Sequence, residues 1–345
     1  MSLGLLLWVP LSVLRGGEVV ERRLSAMGTW LEVTVEAEDR AQALAASEAA
    51  VRAIETCEER LSTWRADSEL ARLNSSPVGA LVELSEELAD DLAAAQRYWR
   101  VSGGAFDPGL GALVAAWGLR QGGRQPTEDE RRMALAAGGF AAFELDGRRA
   151  VRLHPLAAVE EGGFGKGIGL DAALRALCTA GARSAVLDLG GQILLHGHPR
   201  TLRLADPDAR ERAVLELELC SGSLSTSGNS ERGISVAGVR RGHLLDPRSG
   251  EPAPDFGSLS VCAPDATMAD CLSTGLYVMG PEQAFRWHAA RDPGQPALEF
   301  VALVRAPEGL RALATEGLRG RLRSCEPALE IRFVSAQAPL SSPSR

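Results

Sequence analysis

Lysine and arginine together number 37, and Lys166 is the one lysine among them. It stands in "GGFGKGIGLD", ringed by Gly162, Gly163, Gly165, Gly167 and Gly169. Arginine serves every other strongly cationic position, so the lone lysine points to a task that needs a compact ammonium on a flexible stem rather than a planar fork. Glycines just ahead of a helix start leave backbone N–H groups bare, and a helix N-terminus behind them attracts anions. The segment is no Walker loop, since no Ser or Thr follows the lysine where one is required. Nor does its spacing fit the dinucleotide GxGxxG fingerprint. The plainer alternative is a solvated cation on a loop.

Asp270 and Thr274, in "DATMADCLSTG", stand one helical turn apart and project from one face of an expected helix. A carboxylate and a hydroxyl so placed suit a hard cation such as Mg2+, which takes oxygen ligands and keeps positions open for phosphate oxygens. A capping or solvated pair would explain them as well. "RGHLLDPRSGEP" holds His243 and Asp246 in a turn closed by Pro247 and Gly250, which fixes a titratable imidazole on a structured loop. In "GGAFDPGLGALVAAWG", Asp107 ahead of Pro108 reads as a helix N-cap. "SLSTSGNSER" is a hydroxyl-rich strand end with Asn229, one of two asparagines in the chain, and a plain turn would account for it.

The elements that must position these residues alternate without a repeat. "TWLEVTVEAE" has the period of a half-buried strand, and "DRAQALAASEAAVRAIETCEERLS" follows with helical spacing and Asp39 near its start. A second helix is expected over "SEELADDLAAAQRYWRVSGG", ending at the glycine pair. "GGRQPTEDERR" reads as an exposed polar excursion. From Ala142 to Asp206 short strands flank the helix "GLDAALRALCTAGA", and the strands "RAVLELELC" and "SLSVCAP" precede a helix at "TMADCLSTGLYVMG". With no regular βαβ rhythm, the pattern favours an α+β fold over a doubly wound sheet.

Composition narrows the function. The 345 residues carry a net charge of -8 with dispersed arginines, so there is no basic footprint for nucleic acid. The apolar leader "MSLGLLLWVPLSVLRGGEVV" (residues 1–20) is too short to span a membrane, lacks a basic start and is interrupted by Pro10. It reads as a weak or degraded export signal without a cysteine for lipid attachment. Six cysteines without ligand spacing argue against zinc and against a disulfide framework; Cys57, Cys178, Cys220 and Cys262 are expected as buried thiols. Residues 336–345 are expected as a disordered tail.

Eight stretches in order, "AMGTW", "ERLSTWRADSELARLNSS", "GGAFDPGLGALVAAWG", "GGFGKGIGLD", "LDLGGQILLHG", "LSTSGNSERG", "GHLLDPRSGEP" and "DATMADCLSTGLYVMG", resemble the ApbE family of FAD:protein FMN transferases. The resemblance implies a single compact catalytic unit over residues 21–335, with ApbE-like (T-fold-like) mixed sheets and packed helices. It implies Mg2+ as cofactor and FAD as substrate. The FMN half would pass to a threonine or serine hydroxyl of an acceptor protein, with AMP released. Carried over by position, Met27, Trp64, Ala105, Phe106, Asp107, Glu160, Lys166 and Leu245 line the flavin nucleotide site. Asp270 and Thr274 match the Mg2+ ligands, with a backbone oxygen near Gly163 and a further backbone oxygen at Thr267 as candidates. His243 matches the histidine of a His-x-x-Asp-Pro motif implicated in catalysis. Glu160 stands where the family commonly has Asp, and Trp64 where Tyr is typical. Two other readings stay open: a Mg2+-dependent FAD pyrophosphatase, and a flavin-binding protein whose catalysis has lapsed. The expected location is periplasmic or at the inner membrane with loose membrane association, and a cytoplasmic one is open because the export signal is weak.

Overall fold

"TWLEVTVEA" forms the strand Thr29–Ala37, with Leu31, Val33 and Val35 fully buried and Trp30 turned outward. It pairs along its length with Glu18–Ala26. The computed structural model describes residues 17–229, 233–236, 239–292 and 294–335. Residues 1–16 of the expected leader, the tail at 336–345 and residues 230–232 of "LSTSGNSERG" lie outside the described residues. Glu18, Val19 and Val20, expected as the end of the leader, instead open the first strand.

That hairpin forms one edge of a nine-stranded sheet. Its strands run in spatial order Glu18–Ala26, Thr29–Ala37, Ser184–Leu189, Gln192–His196, Gly222–Gly228, Gly257–Ala263, Glu299–Ala306, Gly309–Thr315 and Ile331–Val334. All neighbours are antiparallel except the last pair. The α-helices are α1 (Arg40–Leu61), α2 (Glu69–Ser75), α3 (Glu86–Val101), α4 (Gly111–Ala116), α5 (Glu128–Ala136), α6 (Gly165–Thr179), α7 (Ala266–Met279) and α8 (Pro281–Ala289). The fold is α+β, as the absence of a βαβ rhythm suggested.

Strand alternation sorts the main sheet's residues into two cores. Ile193, Leu195, Val301 and Leu303 pack with Leu202, Leu204, Leu215 and Leu217 of a second, three-stranded sheet. Leu194 and Ala302, one residue out of phase, face the helices instead. On that face α1 lies against α6, and α6 against α7. Nearly every residue of α7 is buried, polar ones included, so it runs through the interior rather than along the surface. No helix among the described residues is long and apolar enough to cross a membrane.

Two expectations are corrected. The polar stretch "GGRQPTEDERR" is mostly exposed, as expected, but contains the start of α5, opened by a capping box in which Thr127 and Glu130 satisfy each other's backbone. Cys178 and Cys220 are exposed, because their positions fall on the solvent sides of α6 and of a strand end, whereas Cys57 and Cys262 are buried as expected.

The contact between α6 and α7 has no room for a side chain at Gly167. A Cβ there would lie 2.5 Å from the Ala266 carbonyl oxygen and 2.6 Å from the Thr267 Cα, both backbone atoms. Gly167→Ala is therefore expected to cost about 1–3 kcal/mol of stability through overpacking. Gly162→Ala, with nothing within 4 Å, is the control. Urea unfolding of the two variants checks the difference, and equal midpoints would show that the helices can separate cheaply.

Candidate active site

The glycine segment is not a loop ahead of a helix. Helix α6 begins at Gly165, so Lys166 and Gly167 sit in its first turn. The glycines serve close approach rather than a wide phosphate cradle. Gly167 meets the start of α7, while Cβ atoms at Gly165 and Gly169 would lie 3.5 Å from Met27 Cε and 3.2 Å from Met27 Sδ. Met27 occupies the first position of the hairpin turn with φ 49°, the one non-glycine residue with positive φ among the described residues. A tight hairpin turn wants positive φ at both central residues, and Gly28 supplies the other at 72°. The Met27 N–H donates to Glu58 Oε2 at 2.7 Å, and its side chain lies across α6, so packing holds a strained residue at the site.

Helix α6 lacks a side-chain cap of its own. Asp270, on α7, fills the gap. Lys166 Nζ donates to Asp270 Oδ1 at 2.9 Å and the Gly167 N–H donates to Oδ2 at 3.0 Å. Asp270 is 3 % exposed, so its charge is buried and answered by one ammonium and one amide. The exchange is reciprocal. Asp171 of α6 accepts from the Ala266 and Thr267 N–H groups at 2.8 and 2.9 Å and from Thr267 Oγ1 at 2.6 Å, at the start of α7. Thr267 Oγ1 is therefore committed to Asp171.

Gly163 lies over the next turn of α7. A Cβ there would stand 3.6 Å from Thr274 Oγ1 and 3.1 Å from the Phe106 ring. Phe106 is buried against α7 as well, where a Cβ on Gly275 would come within 3.0 Å of it. The structure thus brings Lys166, Asp270, Thr274, Gly163 and Phe106 into one neighbourhood. Ala105 and Phe106 are core residues there, and their side chains support the floor of the site.

Glu160 and Trp64 belong to a neighbouring cluster organised by Arg120, a residue without a sequence signal of its own. Arg120 donates to Glu160 Oε2 at 2.6 Å and to the Thr63 carbonyl at 2.9 Å, bonds Thr63 Oγ1, and stands 4.7 Å from the centre of the exposed Trp64 ring. Thr63 also donates to Glu161. Burial raises the Glu160 carboxyl above its ordinary range, and the Arg120 guanidinium pulls the other way.

Asp107 is not a helix N-cap. Helix α4 starts later, at Gly111, and the Asp107 carboxylate accepts from the Gly109 and Phe140 N–H groups at 2.7 and 3.0 Å. It braces a turn against the 3-10 helix Gly139–Ala142, because Pro108 and Gly109 continue as turn. Leu245 is buried in a separate cluster with Leu113, Trp117 and Ala134. The turn after it is anchored on the α4–α5 unit: Trp117 Nε1 donates to the Gly250 carbonyl at 2.7 Å, and Arg131 bonds the Ser249 carbonyl. Asp246 accepts from the N–H and guanidinium of Arg248, so the carboxylate stiffens the turn.

His243 stands between that turn and the strand Val239–Gly242, and is partly exposed. Asn229 packs against Gly242 and donates to the Tyr277 hydroxyl of α7 at 3.0 Å. Tyr277 lies one turn beyond Thr274. The hydroxyl-rich strand faces the same helix, with Ser225 and Ser227 against Ser273 at 3.2 and 3.0 Å. Among the described residues no group of three or more His, Cys, Asp or Glu side chains is gathered to hold a metal.

Burial pushes the Asp107 carboxyl up to about 6 from 3.8, against the pull of its two backbone amides. A raised carboxyl favours folding most below its unfolded value, and that contribution is lost as pH rises through the folded one. Wild type should therefore lose stability relative to Asp107→Asn between about pH 4 and about pH 6. Urea unfolding at stepped pH checks this. A constant difference would show that the two amides keep the carboxylate charged throughout.

The ApbE family model matches residues 27–298, most of the chain. A FAD:protein FMN transferase of Treponema pallidum is 32% identical over 297 residues, 79% of this chain and 79% of that one. Among solved structures, the flavin transferase ApbE from Vibrio cholerae superposes with a TM-score of 0.76 at 25% identity, over 88% of this chain and 99% of that one. The ApbE protein from Thermotoga maritima gives the same TM-score, 0.76, at 27% identity over 83% and 94%. The matched span runs from the strained Met27 hairpin past α7, and so takes in the reciprocal aspartates and the turn after His243. The chain belongs to the ApbE family.

Proposed function

We propose that this protein transfers the FMN half of FAD to a threonine or serine hydroxyl of an acceptor protein, releases AMP, and depends on Mg2+. The observation that carries the reading is the Lys166–Asp270 pair beside Thr274 and Gly163. A buried carboxylate and a hydroxyl one turn apart, with the Gly163 backbone beside that hydroxyl, offer oxygen donors that suit a hard cation. The Lys166 ammonium, 2.9 Å from Asp270 Oδ1, already stands in for a cation there. Asp270, Thr274 and the Gly163 carbonyl would hold the ion. When bound, Mg2+ supplies charge neutralisation on the pyrophosphate oxygens. The name carried by the relatives, FAD:protein FMN transferase, supports the reaction class.

The chain's own residues divide the remaining work. Lys166 offers a mobile positive charge to the pyrophosphate. Met27, Trp64 and Glu160 border the flavin nucleotide, with Arg120 fixing the Trp64 and Glu160 positions relative to each other. His243 takes the proton of the attacking hydroxyl as its oxygen bonds to the FMN phosphorus. The bond from that phosphorus to the AMP oxygen breaks, and AMP leaves with the electron pair. Thr267 would add only its backbone oxygen to the ion's shell, since its hydroxyl is spent on Asp171.

Incubation of the purified protein with FAD, MgCl2 and a flavin-acceptor domain, followed by intact mass measurement of the acceptor, tests the reading. The acceptor should gain one FMN less one water. Free FMN and AMP with an unmodified acceptor would establish hydrolysis in place of transfer. His243→Ala is expected to slow transfer by about a hundredfold or more, the range of a lost general base. FAD affinity should stay nearly unchanged, because base catalysis acts on the transition state. Loss of affinity without that loss of rate would assign His243 to recognition.

A further inference from the structure

Resting on the Mg2+ reading above, we propose that Lys166 and the divalent cation exchange on Asp270. The lysine holds the carboxylate while the site is metal-free. Metal entry releases the ammonium toward the substrate.

The two oxygens of Asp270 are held by donors of unequal mobility. Oδ2 is held by the Gly167 N–H, a backbone group fixed by the packing of Gly167 on Ala266 and Thr267. Oδ1 is held by Lys166 Nζ, on a stem of four rotatable bonds. Only the second donor can leave without moving a helix, so an incoming ion must take Oδ1 and displace the ammonium.

The energetics favour the same order. With Asp270 4 % exposed in its side chain, the metal-free protein needs a counter-charge, and Lys166 supplies it. A divalent ion on that carboxylate makes the ammonium surplus and repels it. The Lys166 side chain is 28% exposed, so the way out leads toward solvent, where an anionic substrate arrives. Arginine would serve poorly, because its planar fork can bind a carboxylate through two N–H groups and would release it less readily. Exchange gives the single lysine of the chain a task beyond charge alone.

The single lysine also makes the test clean, since protein grown with 13C-labelled lysine carries one lysine spin system. Metal-free wild type is titrated with MgCl2 alone and followed by NMR and calorimetry in parallel. The lysine Cε resonance should shift along the calorimetric isotherm. Lys166→Met, which keeps the stem and removes the competing charge, should bind Mg2+ roughly tenfold tighter, because no fraction of Asp270 is pre-occupied. A lysine resonance unmoved through saturation, or a Lys166→Met variant that binds Mg2+ no tighter, overturns the exchange. Absence of Mg2+ binding by both proteins overturns it too. If Lys166→Met does not fold, the wild-type resonance decides alone. Failure of FMN transfer in the acceptor assay is a separate result, so the fate of the exchange and the fate of the proposed function can be told apart.

Discussion

Two aspartates on facing helices cap each other's helix, and the site depends on that exchange. Asp171 of α6 satisfies the first amides of α7, and Asp270 of α7 satisfies the Gly167 amide in the first turn of α6. Helix α6 thus borrows the acceptor it lacks, and α7, which Asp265 already caps at the Met268 amide, gains acceptors for two further amides. The arrangement works because Gly167 lets the backbones touch, which sets the carboxylates at bonding distance. It also places a buried negative charge where a mobile ammonium must answer it. Helix capping, helix packing and the chemistry of the site are here one set of contacts.

The rest of α7 carries this geometry outward. Ser273 ties the helix to the strand Gly222–Gly228, and Tyr277 ties it to Asn229 and Asp255. Through Asn229 and Gly242 the helix position reaches the backbone just before His243. Phe106 presses on Gly275 from below and on Gly163 from the side, so the glycine segment and α7 share a floor. On the far side, Met27 holds α6 through Gly165 and Gly169. A helix buried on all sides is a rigid reference, and residues from several distant segments take their positions from it.

Much of this was legible in the sequence, and what was not has physical reasons. The lone lysine, the Asp270–Thr274 spacing and the α+β alternation were visible because they are local or compositional. The lysine's partner was not, since the Lys166–Asp270 pair joins residues 104 positions apart. Asp171 lies within "GKGIGLD" but carries no sequence signal of its own, because its role exists only once α7 arrives. The glycine run pointed to a loop, since glycine weakens helices. Here close packing with α7 and Met27 overrides propensity, and the run is helical. Asp107 before Pro108 matches a helix start in sequence, yet its oxygen turns to the 3-10 helix Gly139–Ala142. Trp117, Arg120 and Arg131, which anchor the Leu245 turn and the Trp64 cluster, offered no signal beyond being ordinary residues of their type.

The central claim is that the Lys166–Asp270 pair is energetically coupled in the metal-free protein rather than merely adjacent. A double-mutant cycle with Lys166→Met, Asp270→Asn and the double variant, followed by urea unfolding in chelator, measures that coupling directly. The account predicts a coupling energy of about 1–3 kcal/mol, with the double variant more stable than the sum of the single losses allows. Losses that add to within about 0.5 kcal/mol would contradict it, because the buried carboxylate would then not need the lysine.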